Sequence, residues 1–303
     1  MSTQHGGTHA IGAVTTAMVT PFTDDGDLDL DGAQRLARHL VDTGTDTVLV
    51  SGTTGESPTL HGEAPWELLA AVKEAVADDG TVMVGTGSND TGKTVAATAR
   101  AAAAGADAVL VVTPYYNRPQ QSGLIAHFSA AAEATDLPVL LYDVPARTSL
   151  AIAVGTLIEL SAVSNIVGVK DATGDLGKAA DVRLATQDAP GGFDLWSGSD
   201  DVNLPLLAVG AVGVVSVSAH LAGPEIAEMV RVFPTDPARA RELHLRCQPL
   251  HRALFIEASP APLKAALNQL GLPAGPVRGP LADASAETVK AVLAAYEAIE
   301  ALR

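Results

Sequence analysis

Cysteine is almost absent from this chain of 303 residues, because Cys247 is the only one. No disulfide can therefore form within the chain, and a reducing, cytoplasmic location is expected. Aromatic residues are also few, at 4%, although 47% of the residues are hydrophobic. A folded chain of this length buries roughly three quarters of its extended surface. One large domain or two modest ones can therefore form without cross-links.

Basic residues are scarce as well: 19 lysines and arginines face 35 acidic residues, which gives a net charge of -16. This negative charge repels polyanions, so neither nucleic acid nor an anionic membrane surface is an expected partner. A negatively charged small-molecule substrate would meet the same repulsion. Binding such a substrate therefore requires a cation placed locally in the site.

The chain also lacks a segment suited to a membrane helix. Its longest uncharged stretch includes residues 204–223, about the length of a membrane span, but Pro205 and several glycines interrupt it. We interpret this stretch as two short buried strands, or as a strand and a loop. Residues 1–10 lack the basic and apolar regions of a secretory signal, and they predict a flexible N-terminal tail.

The sequence does contain a repeated pattern of short runs rich in Val, Leu and Ile, which predict strands. Most of these runs are nearly continuous rather than alternating, as is typical of parallel strands buried on both faces. Segments with helical spacing lie between them; the first begins near Leu30, with Asp29 or Asp31 as N-cap and Gly44 just past its end. The eight runs are 14–20, 45–52, 81–87, 107–114, 138–145, 166–173, 193–200 and 211–218.

The strand starts are about 28 residues apart on average, which is the length of a strand-helix unit. Eight such units predict an α/β fold of the (β/α)8 TIM barrel type. An open doubly wound sheet is the alternative, but no Gly-x-Gly-x-x-Gly follows the first strand. The last 80 or so residues contain helical stripes only. We therefore predict a barrel at 11–223 and a C-terminal helical extension, packed on the barrel, at 224–303.

Lys170 is the strongest candidate for catalysis. Active sites of such barrels lie at the C-terminal ends of the strands, and Lys170 is the only one of six lysines inside an apolar strand-like run. Burial there would lower the pKa of its ammonium group and make the neutral amine a nucleophile toward a carbonyl. The alternative is a structural ion pair with Asp171 or Asp200.

Other polar residues follow neighbouring strands. Tyr142 ends the fifth strand, next to that of Lys170, and could transfer protons with Thr54 as a relay. The turn at 52–56, Gly-Thr-Thr-Gly-Glu, offers backbone amides to an anion. Arg147 supplies the local cation that an anionic substrate requires. Each residue alone also fits a structural role: a packed tyrosine, an ordinary turn, a surface ion pair.

Five motifs together resemble those of the dihydrodipicolinate synthase family, which belongs to the pyruvate-dependent class I aldolases. The likeness extends over nearly the whole chain from Ile11, in order and with family-like spacing. The motifs are Gly-Thr-Thr-Gly-Glu-Ser at 52–57, Pro-Tyr-Tyr-Asn-Arg-Pro at 114–119, Tyr-Asp-Val-Pro-Ala-Arg-Thr at 142–148, Gly-Val-Lys-Asp-Ala-Thr at 168–173 and Ser-Gly-Ser-Asp-Asp at 197–201.

The resemblance implies the catalytic roles. Lys170 would form an imine with pyruvate, and Tyr142 would act as proton shuttle. Thr54 and Tyr116 would complete a hydroxyl relay, with the tyrosine reaching into a neighbouring subunit. A homotetramer built as a dimer of dimers follows from the same likeness.

The resemblance also implies the binding roles. Thr53 and Thr54 would hold the pyruvate carboxylate, and Arg147 the carboxylate of the second substrate, L-aspartate 4-semialdehyde. Gly198 and Val215 would line the pocket near the reactive lysine. No metal or cofactor is expected, because a protonated imine is itself the electron sink and the histidines lack metal-ligand spacing.

Arg147 distinguishes among relatives of this family. N-acetylneuraminate lyase and the 2-keto-3-deoxy sugar acid lyases usually have a small or apolar residue there, so arginine favours the semialdehyde as second substrate. Another 2-keto acid aldolase remains the alternative function, and a non-catalytic ligand sensor on the same scaffold is a further one.

Two features depart from the family pattern. Asp143 stands where asparagine is common, and its charge would disfavour a Tyr142 phenolate unless its side chain points away. Gly62, Pro65 and Lys93 occupy positions where lysine-inhibited relatives have histidines and a glutamate. We therefore expect weak or absent feedback inhibition by lysine.

Overall fold

The computed structural model describes residues 11–189 and 191–303; the tail predicted for residues 1–10 lies outside them. Within these ranges, eight parallel strands form a closed barrel in sequential order, so the TIM-barrel prediction is confirmed. The strands are β1 Val14–Ala17, β2 Thr47–Val50, β3 Thr81–Gly85, β4 Ala108–Val112, β5 Val139–Asp143, β6 Ile166–Asp171, β7 Asp194–Ser197 and β8 Gly213–Ser216.

Each predicted apolar run contains one strand, but the strands end earlier than the runs do. The run at 45–52 continues two residues past the end of β2, and the run at 107–114 two residues past β4. These extra residues form the start of the loops at the C-terminal edge of the barrel. The residues at the end of each run that lie beyond its strand therefore belong to the face on which a barrel carries its active site.

Helices cover the outside of the barrel. The first confirms its predicted cap, because the Asp29 side chain accepts a hydrogen bond from the Gly32 amide at 2.8 Å. Gly44 follows the helix with a φ of +104°. The helices are α1 Leu30–Asp42, α2 Ala64–Val76, α3 Thr91–Ala103, α4 Gln121–Glu133, α5 Pro145–Thr148, α6 Val154–Leu160, α7 Leu176–Thr186, α8 Asn203–Val209, α9 Ala219–Val232, α10 Pro237–Ala253, α11 Ala261–Gln269 and α12 Ala286–Glu300.

The interpretation of residues 204–223 as two short buried strands, or as a strand and a loop, was wrong at both ends of the stretch, which lie in the helices α8 and α9. Residues Asn203–Val209 form α8, and only Gly213–Ser216 form a strand. Pro205 is tolerated because it sits in the first turn, where a helix does not need the missing amide. Gly210 ends the helix in the left-handed region. In the described ranges no helix is both long and apolar enough to cross a bilayer.

Two apolar clusters make up the core. The smaller one fills the barrel and includes Leu49, Leu140, Tyr142, Trp196 and Val215. The larger one lies between the barrel and the helices, and side chains of α10, α11 and α12 belong to it. The extension therefore shares its apolar core with the barrel.

The boundary predicted between residues 223 and 224 falls inside α9. Non-helical φ and ψ at Ala222 produce a kink there, just before Pro224. Beyond the kink, α9 still packs against β1 and α1, which is the place of the eighth barrel helix. The segments that extend the barrel are α10, α11 and α12.

Candidate active site

Three side chains lie in one row across neighbouring strands: Lys170 on β6 is paired with Tyr142 on β5 and with Trp196 on β7. Paired residues of parallel strands point to the same face of the sheet. Since Tyr142 and Trp196 belong to the cluster inside the barrel, Lys170 also points inward. Only 5% of its surface is exposed.

A close backbone contact holds the aliphatic part of Lys170. A Cβ atom on Gly198 would stand 2.9 Å from Lys170 Cγ and 3.0 Å from Ala172 Cβ, so a larger residue would displace the lysine. The Gly198 amide donates to the carbonyl of Asp171 at 2.7 Å, which fixes this position. Val215 is buried in the same interior, on β8. Both residues predicted to line the pocket thus lie in or against the barrel interior.

Burial lowers the pKa of Lys170 to about 7, with Asp200 opposing and Arg147 reinforcing this shift. The structural alternative, an ion pair, does not form: no salt bridge joins Lys170 to a carboxylate in the described part of the chain. Asp200 instead accepts hydrogen bonds from the amides of Val217 and Ser218 at 2.9 and 2.8 Å. A substantial fraction of the amine is therefore neutral near pH 7.

Tyr142 is the nearest candidate proton donor. The Lys170 Nζ atom stands 4.1 Å from the centre of the Tyr142 ring. Burial raises the pKa of the phenol to about 12, while Arg147 and a side-chain hydrogen bond with Thr53 act against the rise. The phenol is therefore protonated at neutral pH and able to donate.

The threonine next to the Tyr142 phenol is Thr53, the neighbour of the predicted relay residue Thr54. The side-chain hydrogen bond to Tyr142 comes from Thr53, which is half-buried, whereas Thr54 is almost fully buried. The sequence could not separate two adjacent threonines in a turn. Thr54 lies beside Thr53 in the turn predicted to bind a carboxylate.

The turn itself has a rigid, unusual backbone. Ser51 and Glu56 on either side of it both have positive φ, at 53° and 55°. The Thr20 hydroxyl donates to the carbonyl of Gly55 at 2.6 Å, and the Glu56 amide donates to the carbonyl of Thr53 at 3.1 Å. The backbone between β2 and α2 is thus held in one shape, as an anion cradle requires.

Arg147 lies in the last turn of the short helix α5 and its side chain is exposed. Its positive charge acts on both Tyr142 and Lys170, lowering the pKa of each. The Arg147 guanidinium is therefore close enough to both groups to act on them electrostatically. Arg147 thus places a positive charge beside Lys170 and Tyr142, although the chain carries a net charge of -16.

Tyr116 is placed apart from the other candidates. It has a φ of +73°, and 91% of its surface is exposed, so it makes little contact with its own chain. The loop around it is held by Asn117, whose side-chain amide donates to the carbonyl of Asn89 at 2.7 Å. A single chain does not bring Tyr116 together with Tyr142 and Lys170.

Asp143 points away from the interior, as the sequence left open. Its carboxylate forms an ion pair with Lys178 of α7 and accepts a hydrogen bond from the Ile152 amide at 3.1 Å. Burial raises the pKa of Asp143. Asp143 acts on Tyr142 only as the smallest of four influences, and it raises the pKa of that phenol. The unusual aspartate is therefore a packing partner of α7.

The sequence analysis did not identify the hydrogen-bond network around Asp200. Burial acts to raise its pKa, but His251 and hydrogen bonds from Ser216, Ser218 and Val217 hold it below the ordinary value. His251 lies on α10 and its Nδ1 atom is 2.8 Å from the Ser218 hydroxyl. The motif at 197–201 was the only signal for this network. No group of three or more potential metal ligands occurs among residues 11–189 and 191–303.

Known proteins are similar to this chain in sequence and in fold. Residues 10–299 match the model of the dihydrodipicolinate synthetase family. The chain is 49% identical to a 4-hydroxy-tetrahydrodipicolinate synthase of Moorella thermoacetica, over 94% of this chain and 97% of that protein. It is 50% identical to the enzyme of the same name from Parasynechococcus marenigrum, over 89% of both chains.

Solved structures agree with this result. The dihydrodipicolinate synthase of Cyanidioschyzon merolae with lysine bound superimposes with a TM-score of 0.93 and 44% identity, covering 96% of this chain and 99% of that one. That of Thermotoga maritima superimposes with a TM-score of 0.93 and 38% identity, with the same coverage. On its sequence, its barrel and the match over nearly its full length, this chain belongs to the dihydrodipicolinate synthetase family.

Proposed function

We propose that this chain condenses pyruvate with L-aspartate 4-semialdehyde, the reaction of a 4-hydroxy-tetrahydrodipicolinate synthase, which serves lysine and diaminopimelate biosynthesis. The observation that carries the proposal is the state of Lys170: a buried amine with a pKa of about 7, pointing into the barrel beside Tyr142. Such an amine is nucleophilic toward a ketone at neutral pH.

The reaction begins when the neutral Lys170 amine attacks the ketone carbon of pyruvate. The Tyr142 phenol supplies the proton with which the carbinolamine loses water, leaving a protonated imine. The Tyr142 phenolate then takes a proton from the adjacent methyl group, and the electron pair of that C–H bond moves toward the imine nitrogen to give an enamine. No metal or cofactor is needed, because the imine nitrogen accepts the electron pair.

The enamine carbon then attacks the aldehyde carbon of the second substrate, and the aldehyde oxygen takes up a proton from the Tyr142 phenol. The amine of that substrate next attacks the imine carbon, the ring closes and Lys170 leaves as a free amine. Arg147 binds the carboxylate of this substrate with its planar guanidinium. A sugar acid lyase would instead cleave an aldol, so assays with each aldehyde separate the two activities.

Substrate position comes from the turn after β2. The amides and hydroxyls of Thr53 and Thr54 hold the pyruvate carboxylate, and Gly198 and Val215 line the pocket beside Lys170. The Thr53 hydroxyl also connects the Tyr142 phenol to a relay of hydroxyl groups that transfers protons.

The assembly that we propose is a homotetramer, a dimer of dimers, located in the cytoplasm. The support for the assembly is Tyr116, an almost fully exposed aromatic ring on a strained loop. In the proposed dimer this ring enters the neighbouring subunit's site and extends the relay. Sedimentation of wild type and of Tyr116→Phe measures the oligomeric state. The kcat of the variant measures the contribution of the Tyr116 hydroxyl to proton transfer.

The decisive experiment is reduction with borohydride in the presence of pyruvate, followed by peptide mass spectrometry. We expect the reduced adduct on Lys170 and its complete loss in Lys170→Ala. Lys290→Ala, which removes an exposed lysine on α12, is the control and retains the adduct. An adduct on another lysine of the wild-type chain would refute the proposed mechanism.

A further inference from the structure

The turn that carries Thr53 and Thr54 is tied to the C-terminal extension by a buried ion pair. Glu56 Oε1 accepts a hydrogen bond from Lys264 Nζ on α11 at 2.8 Å, across 208 residues of chain. The two side chains are 1% and 2% exposed. Neither group takes part in the chemistry proposed above.

A second tie lies beside the first. The backbone amide of Arg278, in the loop between α11 and α12, donates to Glu56 Oε2 at 2.8 Å. Its guanidinium donates to the carbonyls of Gly26 and Thr59 at 2.6 and 2.9 Å. Both carboxylate oxygens of Glu56 are therefore bound by the extension.

An aromatic ring completes this cluster. The Lys264 ammonium stands 4.2 Å and the Arg278 guanidinium 4.0 Å from the centre of the Phe22 ring. Lys264 also donates to the carbonyl of Pro276 at 2.6 Å. The extension thus places two cations against the loop that follows β1 and the turn that follows β2.

Stability alone does not explain such a pair. Removing two charges from water costs about as much as their attraction returns, so apolar residues of similar volume would often serve the core equally well. What a buried ion pair does impose is one geometry, because displacement leaves an unpaired buried charge. The question is then which part of the molecule needs its geometry fixed.

The Glu56 backbone answers this question. Its amide donates to the carbonyl of Thr53 at 3.1 Å, and the next amide, of Ser57, donates to the carbonyl of Gly52 at 3.2 Å. Glu56 also has a positive φ of 55°, which a free non-glycine residue rarely adopts. A shift of the Glu56 side chain would therefore be transmitted directly to Thr53, the residue bonded to Tyr142.

We propose that Glu56 and Lys264 are positioning residues, through which the C-terminal extension sets the pyruvate-binding turn in register with Tyr142 and Lys170. The proposal rests on the function proposed above. It gives the extension, which contributes none of the reacting groups, a direct part in substrate binding.

The test compares Glu56→Gln, Lys264→Met and the double variant E56Q/K264M with wild type. Lys73→Met is the control, since Lys73 on α2 forms a partly exposed ion pair with Asp107 at 2.8 Å, near the opposite end of the barrel. Measured quantities are the thermal midpoint, KM for each substrate and kcat. Each single variant should raise KM for pyruvate about tenfold or more, with KM for the semialdehyde changed less than about twofold.

The double variant separates positioning from stability, because it leaves neither charge unpaired. The proposal is supported if the double variant recovers the wild-type thermal midpoint but keeps a raised KM for pyruvate. This comparison holds even where a single variant does not fold. Recovery of both quantities to wild-type values overturns the proposal, as does an unchanged KM in the single variants. If wild type forms no borohydride adduct with pyruvate, the proposed function fails first and this inference fails with it.

Discussion

Lys170 and Tyr142 are register partners on adjacent strands, with the lysine nitrogen 4.1 Å from the centre of the phenol ring. Two effects compete at this contact. An aromatic face attracts an ammonium ion, whereas burial disfavours the charge. Burial is the largest influence on the pKa of Lys170, which falls to about 7. The barrel interior therefore places an amine and a phenol side by side, as the proposed reaction requires.

The first prediction concerns pH. In the proposed reaction only the neutral Lys170 amine attacks pyruvate, so the rate of imine formation should rise about tenfold per pH unit up to pH 7 and level off above it. Tyr142, with a pKa of about 12, stays protonated over this range and adds no second inflection. Quenched borohydride trapping measures the rate directly. An inflection near the ordinary lysine value of about 10.4 would contradict the assignment.

The second prediction separates the two threonines of the turn. Thr53→Val removes the hydroxyl bonded to Tyr142, so kcat should fall about 100-fold, at the lower end of the effect of a proton-transfer group. Thr54→Val keeps that hydrogen bond, so its kcat should stay within about threefold of the wild-type value, while its KM for pyruvate rises. Steady-state kinetics of both variants decide the matter. The reverse order of effects on kcat would return the relay to Thr54.

The third prediction concerns Arg147. Arg147→Ala should raise KM for the semialdehyde by about 30-fold or more, because a carboxylate loses a bidentate partner. Loss of its charge should also raise the pKa of Lys170 and move the trapping profile to higher pH. Arg231→Ala, at an exposed position on α9, is the control for net charge. Equal pH shifts in both variants would argue against a local effect of Arg147.

The fourth prediction concerns the departure at Asp143. Asp143→Asn leaves Lys178 without its buried partner, so the free energy of unfolding should fall by about 3–5 kcal/mol. The kcat of the folded variant should stay within about twofold, because the side chain points away from Tyr142. Asp79→Asn breaks an exposed pair with Arg38 and should cost only about 0.2–1 kcal/mol. A large loss of kcat in Asp143→Asn would place its charge in the catalytic site.

Local pattern was enough for the barrel and for its central lysine. Continuous apolar runs separated by helical stripes repeat often enough to predict eight parallel strands, and a lysine inside such a run is expected to be buried. The same reasoning misread residues 203–209, because a short apolar segment has too few residues to distinguish a helix from a strand. Packing between α7 and α10 decides that segment.

The sequence by itself determined the fold class, the candidate nucleophile Lys170 and the kinds of group around it, since those depend on periodicity and residue chemistry. Only the tertiary structure decided that Thr53 rather than Thr54 meets Tyr142, and that Asp143 points away from it. It alone paired Glu56 with Lys264, 208 residues later. The physical reason is that side-chain direction in a strained turn, and contact between remote segments, depend on how the whole chain packs.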